Sequence, residues 1–196
     1  MSGAMRVAVI GSGPAGLYAT DELCLHGGDV TVDVIDRLPC PYGLLRYGVA
    51  PDHLKIKSMD RMLRRIMERP EVRFLGGIEL GSDLGAEELP EHYDAIIYAT
   101  GSGAGRRLGI PGEDLPGSFS AKDFVAWYCG HPDAAVDRFT LDARTAVVVG
   151  AGNVAIDVVR ILARTTDELR EITDMPDHVL DVLDASTVRD IHLVAR

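Results

Sequence analysis

Cysteine is scarce in this chain, and its distribution excludes several kinds of redox or metal centre. The three cysteines, Cys24, Cys40 and Cys129, lie far apart and form no C-x-x-C pair, so the sequence predicts neither a redox disulfide, an iron–sulfur site nor structural zinc. Cys40 is interpreted as a small neutral filler rather than a redox group. The six histidines show no ligand spacing, and no metal site is expected.

Long hydrophobic runs and positive charge are also lacking. No segment approaches the length of a membrane span, and 20 Lys and Arg against 30 Asp and Glu give a net charge of −10, which argues against nucleic-acid binding. A hydrophobic content of 46% is enough to bury a core. Only six residues precede the first apolar run at Val7, too few for a signal or transit peptide. The sequence therefore predicts a cytoplasmic, bacterial protein without a membrane partner.

What the chain does have is two glycine fingerprints, GSGPAG at residues 11–16 and GAGNVA at residues 150–155, each directly behind an apolar run. A strand that ends in G-x-G-x-x-G and opens a helix lets the backbone approach a pyrophosphate and aims N–H groups and the helix dipole at its charge. Two such units predict an α/β protein with two doubly wound Rossmann-like dinucleotide-binding folds. The alternative for the first loop is that it is merely a tight turn in such a sheet.

The residues that close the second strand of each unit differ in charge. Asp36 lies 20 residues after Gly16, where a ribose acceptor belongs, and its carboxylate would repel a 2′-phosphate. The first loop should therefore take FAD or NAD rather than NADP. The second unit closes on Arg196, whose guanidinium suits the 2′-phosphate of NADP; the alternative is a solvated charge at a strand end. Ala155, in place of a third glycine, is compatible with NADP.

The remaining pattern predicts the intervening elements. Residues 93–99 form a buried strand that returns the chain to the first nucleotide, and residues 72–75 and 78–80 form shorter strands. Residues 55–69 form one amphipathic helix with a basic face, which either docks an acidic partner or, as we favour, is simply solvated. A further helix lies around residues 121–129. The acidic stretch 167–190 is interpreted as a loop that carries one short helix at 178–184.

The most specific segment is PYGLLRYGVAPDH at residues 41–53. With GSGPAG, the ATG at residues 99–101, IPGE at residues 110–113, FSAKDFVAWY and GAGNVAIDVVRIL, it makes the chain resemble the adrenodoxin-reductase-like ferredoxin–NADP reductases. The resemblance implies FAD in the first fold and NADP in a second, truncated fold. It divides the chain into residues 1–103, part of the FAD-binding domain, and 104–196, a linker and part of the NADP-binding domain. We expect an N-terminal part of a longer enzyme, inactive alone.

The resemblance also implies site residues. Four residues of the first glycine loop would contact the pyrophosphate region of FAD: Gly11, Gly13, Ala15 and Gly16. Asp36 would contact the adenosine ribose, and Leu44 and Leu80 would contact FAD. The NADP would be bound by Gly152, Asn153, Val154 and Arg196. His53 and Asp157 are the catalytic candidates, expected to orient the nicotinamide amide and tune proton supply. The alternative makes His53 a loop cap and Asp157 a helix carboxylate satisfied by Arg160.

The function implied by this resemblance is that of an FAD-dependent NADPH:ferredoxin oxidoreductase. A hydride from NADPH would reduce the flavin, which would pass single electrons to a ferredoxin-type iron–sulfur protein. The alternatives are the small subunit of glutamate synthase or a related electron-transfer subunit, typically preceded by a Cys-rich domain that six residues cannot hold, and a non-catalytic nucleotide-binding module.

Overall fold

The structure is a computed structural model that describes residues 3–103, 105 and 107–195. The described residues divide into two compact units. The first contains those in Met1–Arg46 and Lys55–Gly103, and the second those in Tyr47–Leu54 and Ala104–Arg196. Residues 47–54, which end in the VAPDH segment, thus belong to the second unit.

A parallel four-stranded sheet forms the centre of the first unit. Its strands are β1 (Met5–Ile10), β2 (Val30–Asp36), β3 (Val72–Gly76) and β4 (Ala95–Tyr98), in the order β3-β2-β1-β4. Valine and isoleucine are the commonest residues of β1 and β2, and most positions of both strands are buried, as expected for strands covered on both faces. This confirms the predicted α/β class with Rossmann-like strand order, in which the sequence order reverses between β1 and β4.

The helices of the first unit follow from local signals. Helix α1 (Pro14–His26) has Pro14 in its first turn and ends at Gly27, ahead of Gly28 with φ +73°. Three short helices and one longer one follow: α2 (Leu44–Tyr47), α3 (Leu54–Lys57), α4 (Asp60–Met67) and α5 (Leu89–His92).

One charged side chain lies in the middle of this sheet. Asp33 of β2 is buried, and its carboxylate accepts hydrogen bonds from Arg73 on the neighbouring β3 and from the Tyr93 hydroxyl at 2.7 Å. Burial raises the pKa of Asp33, but the hydrogen bonds from Arg73 and Tyr93 outweigh it and hold the pKa below its ordinary value. The pair is therefore a satisfied structural ion pair.

The second unit combines one parallel strand pair with four helices: α6 (Ala121–Tyr128), β5 (Thr145–Val149), α7 (Asn153–Ala163), α8 (Thr166–Ile172), α9 (Asp177–Asp184) and β6 (Asp190–Val194). Its core is aromatic. Phe124, Trp127 and Phe139 contact one another at ring centroid distances of 5.1–5.5 Å, and Trp127 donates its indole N–H to the Val136 carbonyl. Such edge and offset contacts stabilise beyond simple burial.

Three predicted elements are wrong. The basic helix at 55–69 is two helices, α3 and α4, because the Ser58 hydroxyl bonds the Lys55 carbonyl and competes with the helical ladder. The acidic loop contains two helices, since Thr165 and Glu168 form a capping box that begins α8. The strand at 78–80 is only an isolated bridge between Leu80 and Leu84. Among the described residues, no helix is long and apolar enough to cross a membrane.

Candidate dinucleotide-binding sites

The three glycines of the first fingerprint occupy different environments. At Gly11, which has φ +110°, a Cβ would lie 2.3 Å from the Ala99 carbonyl oxygen, and at Gly16 it would lie 2.0 Å from the carbonyl oxygen of Gly11. At Gly13 a Cβ would meet nothing closer than the Gly43 Cα at 4.0 Å. Gly11 and Gly16 are therefore required by packing, whereas Gly13 keeps open the surface that a pyrophosphate needs to approach closely.

The start of α1 is suited to an anion. Gly13 is the N-cap and supplies no side-chain cap to this 13-residue helix. The first-turn amides of Ala15 and Gly16 have no carbonyl acceptor within the helix, and the helix dipole adds partial positive charge there. The loop lies at the carboxyl ends of the strands, since Gly11 N–H bonds Ile35 O and Ala99 N–H bonds Ile10 O. This is where open parallel sheets bind their ligands.

Asp36, the predicted ribose acceptor, also shapes the glycine loop. Its Oδ2 accepts the Ser12 backbone N–H at 2.8 Å and the Ser12 hydroxyl at 2.5 Å, while Oδ1 accepts the Leu38 N–H at 2.9 Å. These bonds leave the carboxylate with acceptor capacity on Oδ1 only. Ser12 is fully buried. Sequence analysis missed it, although its place within the fingerprint next to the glycine turn was a usable signal.

The segment after β2 packs against the same loop. A Cβ on Gly43 would lie 2.9 Å from the Gly13 Cα, and Tyr42, with φ +89°, donates its N–H to the Ser12 carbonyl. A tyrosine in this backbone region is strained, a state that tends to occur at functional sites. Leu44, next in sequence, is 68% exposed. Leu80 instead packs partly buried against the core.

The second fingerprint repeats this design with one difference. Gly150 has φ +136° and donates its N–H to the Val194 carbonyl at the end of β6. A Cβ at Gly150 would lie 3.6 Å from that of Ala155, an ordinary contact, so alanine fits where a third glycine was expected.

The start of α7 is open in the same way as the start of α1. Gly152 caps α7 without a side chain and has no atom within 4 Å of its Cβ position. Asn153 and the half-exposed Val154 follow in the first turn. The predicted phosphate reader Arg196 lies outside the described residues.

The two catalytic candidates are brought together. His53 Nε2 lies 2.9 Å from Asp157 Oδ1 although 104 residues separate them in sequence. The same Asp157 oxygen accepts Arg160 Nη1 at 2.8 Å. Asp157 therefore contacts both His53, the other catalytic candidate, and Arg160, the partner that the alternative interpretation gave it. The side chain of His53 remains 39% exposed.

A buried carboxylate next to the His53–Asp157 pair, that of Asp52, was not predicted from the sequence. The Asp52 side chain, 2% exposed, accepts Arg160 Nε at 2.6 Å and Nη2 at 2.8 Å, and Arg164 Nε lies 3.3 Å away. The hydrogen bonds from Arg160 lower the pKa of Asp52, against the opposing effect of burial. Beside this cluster, burial strongly raises the pKa of Tyr128. No local spacing links Asp52 to a helix 108 residues away.

Asp52 should make the stability of the second unit dependent on pH. Its folded-state pKa is depressed, so its contribution is present above the unfolded pKa of about 3.9 and is lost as the pH falls through the folded value. We expect Asp52→Asn to destabilise by about 1–2 kcal/mol at pH 7, because Asn keeps one acceptor and Arg160 is partly solvated.

Urea unfolding of both proteins from pH 7 down to pH 3 measures this, with the exposed Asp177→Asn as the matched control. The difference in the free energy of unfolding between wild type and Asp52→Asn should narrow below pH 4. A gap that is constant over the whole range would contradict the assignment.

Comparison with known proteins now places the chain. The profile of the pyridine nucleotide-disulphide oxidoreductase family matches residues 5–192. The chain belongs to this family. All three of its cysteines are thiols outside any disulfide.

Relatives within this family support the resemblance found from sequence. The chain is 44% identical over 195 residues to the mitochondrial NADPH:adrenodoxin oxidoreductase of Arabidopsis thaliana, covering 98% of this chain and 40% of that protein. It is 44% identical to the NADPH-ferredoxin reductase FprA of Mycobacterium leprae, covering 97% of this chain and 43% of that protein. The structure of Mycobacterium tuberculosis FprA in complex with NADPH superposes with a TM-score of 0.93 at 43% identity, over 98% of this chain and 43% of that one. The chain thus spans about two fifths of the length of these relatives.

Proposed function

We propose that this chain carries nucleotide-binding parts of an FAD-dependent NADPH:ferredoxin (adrenodoxin-type) oxidoreductase. The observation that carries the proposal is the pair of glycine turns, each of which opens a helix capped by glycine alone at the carboxyl end of a parallel strand pair. The strong likeness to NADPH-ferredoxin and NADPH:adrenodoxin reductases supports the choice of reaction.

The first glycine loop is the proposed FAD site, within a domain part at residues 1–103. The open surface at Gly13 and the first-turn amides of Ala15 and Gly16, which have no carbonyl acceptor within the helix, fit a pyrophosphate. Asp36 would accept a ribose hydroxyl through Oδ1 while its other oxygen holds Ser12. Gly11 would let the loop pack closely against the Ala99 carbonyl beneath the pyrophosphate. The exposed Leu44 and the partly buried Leu80 would provide apolar contacts to FAD.

The second loop is the proposed NADP site, within a domain part at residues 104–196. Gly152, Asn153 and Val154 would present their amides to the NADP pyrophosphate, and Arg196 would bind the 2′-phosphate. The bound cofactors would supply the chemistry, which is hydride transfer from NADPH and single-electron transfer to an iron–sulfur protein. The role of this chain is to bind and orient: we assign His53 and Asp157 to holding the nicotinamide amide and supplying a proton path.

Two other functions predict different behaviour. A small subunit of glutamate synthase, or a related electron-transfer subunit, would pass electrons to a partner subunit and not to a ferredoxin. A non-catalytic nucleotide-binding module would bind NADPH without oxidising it. The likeness to proteins named as ferredoxin and adrenodoxin reductases favours the first proposal.

We place the protein in a bacterial cytoplasm as a further proposal. The mycobacterial relatives support a bacterial source, whereas the Arabidopsis relative is named as mitochondrial. Expression of the tagged full-length protein in its source cells, followed by fractionation, tests this location.

The experiment for the reaction uses full-length protein under anaerobic conditions. We expect a yellow protein whose flavin absorbance bleaches on addition of NADPH, followed by reduction of an added ferredoxin. Bleaching without ferredoxin reduction would favour the subunit alternative. Absence of bleaching with flavin and NADPH both bound would favour the binding module.

Loss of His53 or Asp157 should slow flavin reduction without abolishing it. Because these residues orient and do not donate the hydride, we expect His53→Gln and Asp157→Asn each to lower the single-turnover rate roughly tenfold. Stopped-flow reduction by NADPH from pH 6 to 9 measures this, with the exposed His26→Gln as control. Unchanged rates and pH dependence in both variants would make the two residues structural.

A further inference from the structure

A continuous chain of hydrogen bonds extends from the interior of the second unit to its surface. Asp52 is held by the Arg160 guanidinium, Arg160 reaches Asp157, and Asp157 contacts His53. The side chain of Asp52 at one end of this chain is 2% exposed, and that of His53 at the other end is 39% exposed. The buried end is therefore fixed and the His53 end is available to a ligand.

We propose that Asp52 and Arg160 are positioning residues that set the orientation of the His53 ring through Asp157. This inference deepens the proposed function and rests on it for the role of His53. Its geometric content, that the Asp52–Arg160 pair determines the His53–Asp157 contact, can be tested without any activity.

The arrangement of the Arg160 side chain carries the argument. Two of its nitrogens bind Asp52 and the third binds Asp157, so one rigid planar group fixes both carboxylates. Asp157 and Arg160 lie three residues apart on one face of α7, whereas Asp52 and His53 are neighbours on the loop. Arg160 thereby ties the loop to the helix immediately beside His53.

Electrostatics require the same arginine. The carboxylate of Asp157 contacts His53, and that of Asp52 interacts with it electrostatically. Arg160 of α7, Arg164 at the C-cap of α7 and the buried hydroxyl of Tyr128 on α6 lie beside these carboxylates. Without Arg160, two carboxylates would face each other with only Arg164 to compensate, and Asp157 would lose the donor that fixes its Oδ1. An ionised carboxylate only accepts, so the contact with Asp157 requires a proton on Nε2 of His53 and, in the neutral ring, favours the Nε2–H tautomer.

The test is nuclear magnetic resonance of the full-length protein with 15N-labelled histidine. His53→Gln assigns the His53 signals, which report its tautomer and its Nε2 hydrogen bond. The variants are Arg160→Met and the double variant Asp52→Asn with Arg160→Met. The double variant removes both members of the Asp52–Arg160 pair, so neither member is left as an unpaired buried charge. Arg170→Met removes an exposed arginine of α8 in the same unit and serves as control.

We expect both Arg160 variants to lose the hydrogen-bonded Nε2 proton signal of His53 and to populate the other tautomer, while Arg170→Met keeps the wild-type spectrum. The single-turnover rate of flavin reduction should fall roughly tenfold in the folded double variant, with the affinity for NADPH changed less than the rate. A folded double variant with a wild-type His53 signal would overturn the inference. Failure of the double variant to fold would also overturn it, because the pair would then be purely structural. If the wild type itself shows no NADPH-dependent reduction, the proposed function fails while the spectra still decide the positioning role.

Discussion

Replacement of Gly13 by valine should give a folded full-length protein that no longer retains FAD. The space around the Gly13 Cβ position is open within the first unit, with the Gly43 Cα at 4.0 Å as its nearest neighbour. The backbone of Gly13 is extended, with φ −72° and ψ 175°, a conformation that valine adopts readily. The added methyl groups would instead occupy the surface that the pyrophosphate needs, in front of the first-turn amides of α1.

The expected effect on binding is much larger than the effect on stability. Loss of two hydrogen bonds to a charged phosphate costs roughly 3–6 kcal/mol, which weakens FAD binding by more than about 100-fold. Loss of a glycine N-cap to a branched residue should cost only about 1 kcal/mol of stability. Flavin content per polypeptide after purification and FAD affinity by fluorescence quenching measure the first effect, and thermal unfolding of the apoprotein measures the second.

Two further glycine variants separate binding from folding. Gly3→Val, in open space ahead of β1, should leave both flavin content and stability unchanged. Gly11→Ala should impair folding itself, because its Cβ would lie 2.3 Å from the Ala99 carbonyl oxygen at a backbone φ of +110°. A Gly13→Val protein that purified with full FAD would show that this loop does not bind the flavin.

The parts of the fold that sequence predicts well depend on local chemistry. The sequence within a few residues determines the glycine turns, the apolar strands and the limits of α1 at Pro14 and Gly27, so these features can be predicted from local patterns. The capping box of Thr165 and Glu168 is an equally local signal, but the acidic composition around it led to the wrong prediction of a loop. The break after α3 was harder to foresee, because it depends on one serine hydroxyl that bonds the backbone.

The parts that sequence did not predict depend on contacts between distant segments. Ser12 meets Asp36 across 24 residues and Asp52 meets Arg160 across 108. No period or spacing in the sequence encodes such pairs. The resemblance supplied His53 and Asp157 but not the buried carboxylate behind them, because a motif names the groups that contact a ligand more readily than those that hold them in place.

Arg196→Ala should change the choice of coenzyme in the full-length protein. Strand β6 runs parallel to β5, and its last residue, Val194, accepts the N–H of Gly150 from the second glycine turn. The chain therefore leaves β6 at the edge of the sheet where the second glycine turn lies. In this fold an arginine after the second strand is placed to meet the 2′-phosphate of NADP, the group that distinguishes NADPH from NADH.

Loss of this interaction should affect one coenzyme only. Charge-assisted hydrogen bonds of this kind contribute about 1.5–3 kcal/mol, so kcat/KM for NADPH should fall roughly 10- to 100-fold while the value for NADH stays nearly constant. The loss should appear mainly in KM, because the phosphate is remote from the reacting atoms and contributes equally to ground-state and transition-state binding. Steady-state kinetics with both coenzymes, with flavin content confirmed beforehand, provide the measurement.

Arg189→Ala is the matched control. Arg189 precedes the same strand at its amino end, where its backbone N–H bonds the Arg144 carbonyl and its side chain bonds the Ser186 and Val188 carbonyls. Its removal changes the net charge by the same amount at the opposite edge of the strand pair, so this variant reports the effect of net charge alone. A selective loss in Arg196→Ala alone would therefore identify direct phosphate binding. Equal losses of kcat/KM with NADPH and NADH in Arg196→Ala would instead show that Arg196 has a structural role. Equal losses of kcat/KM for NADPH in Arg196→Ala and Arg189→Ala would show that the preference for NADPH comes from long-range electrostatic attraction.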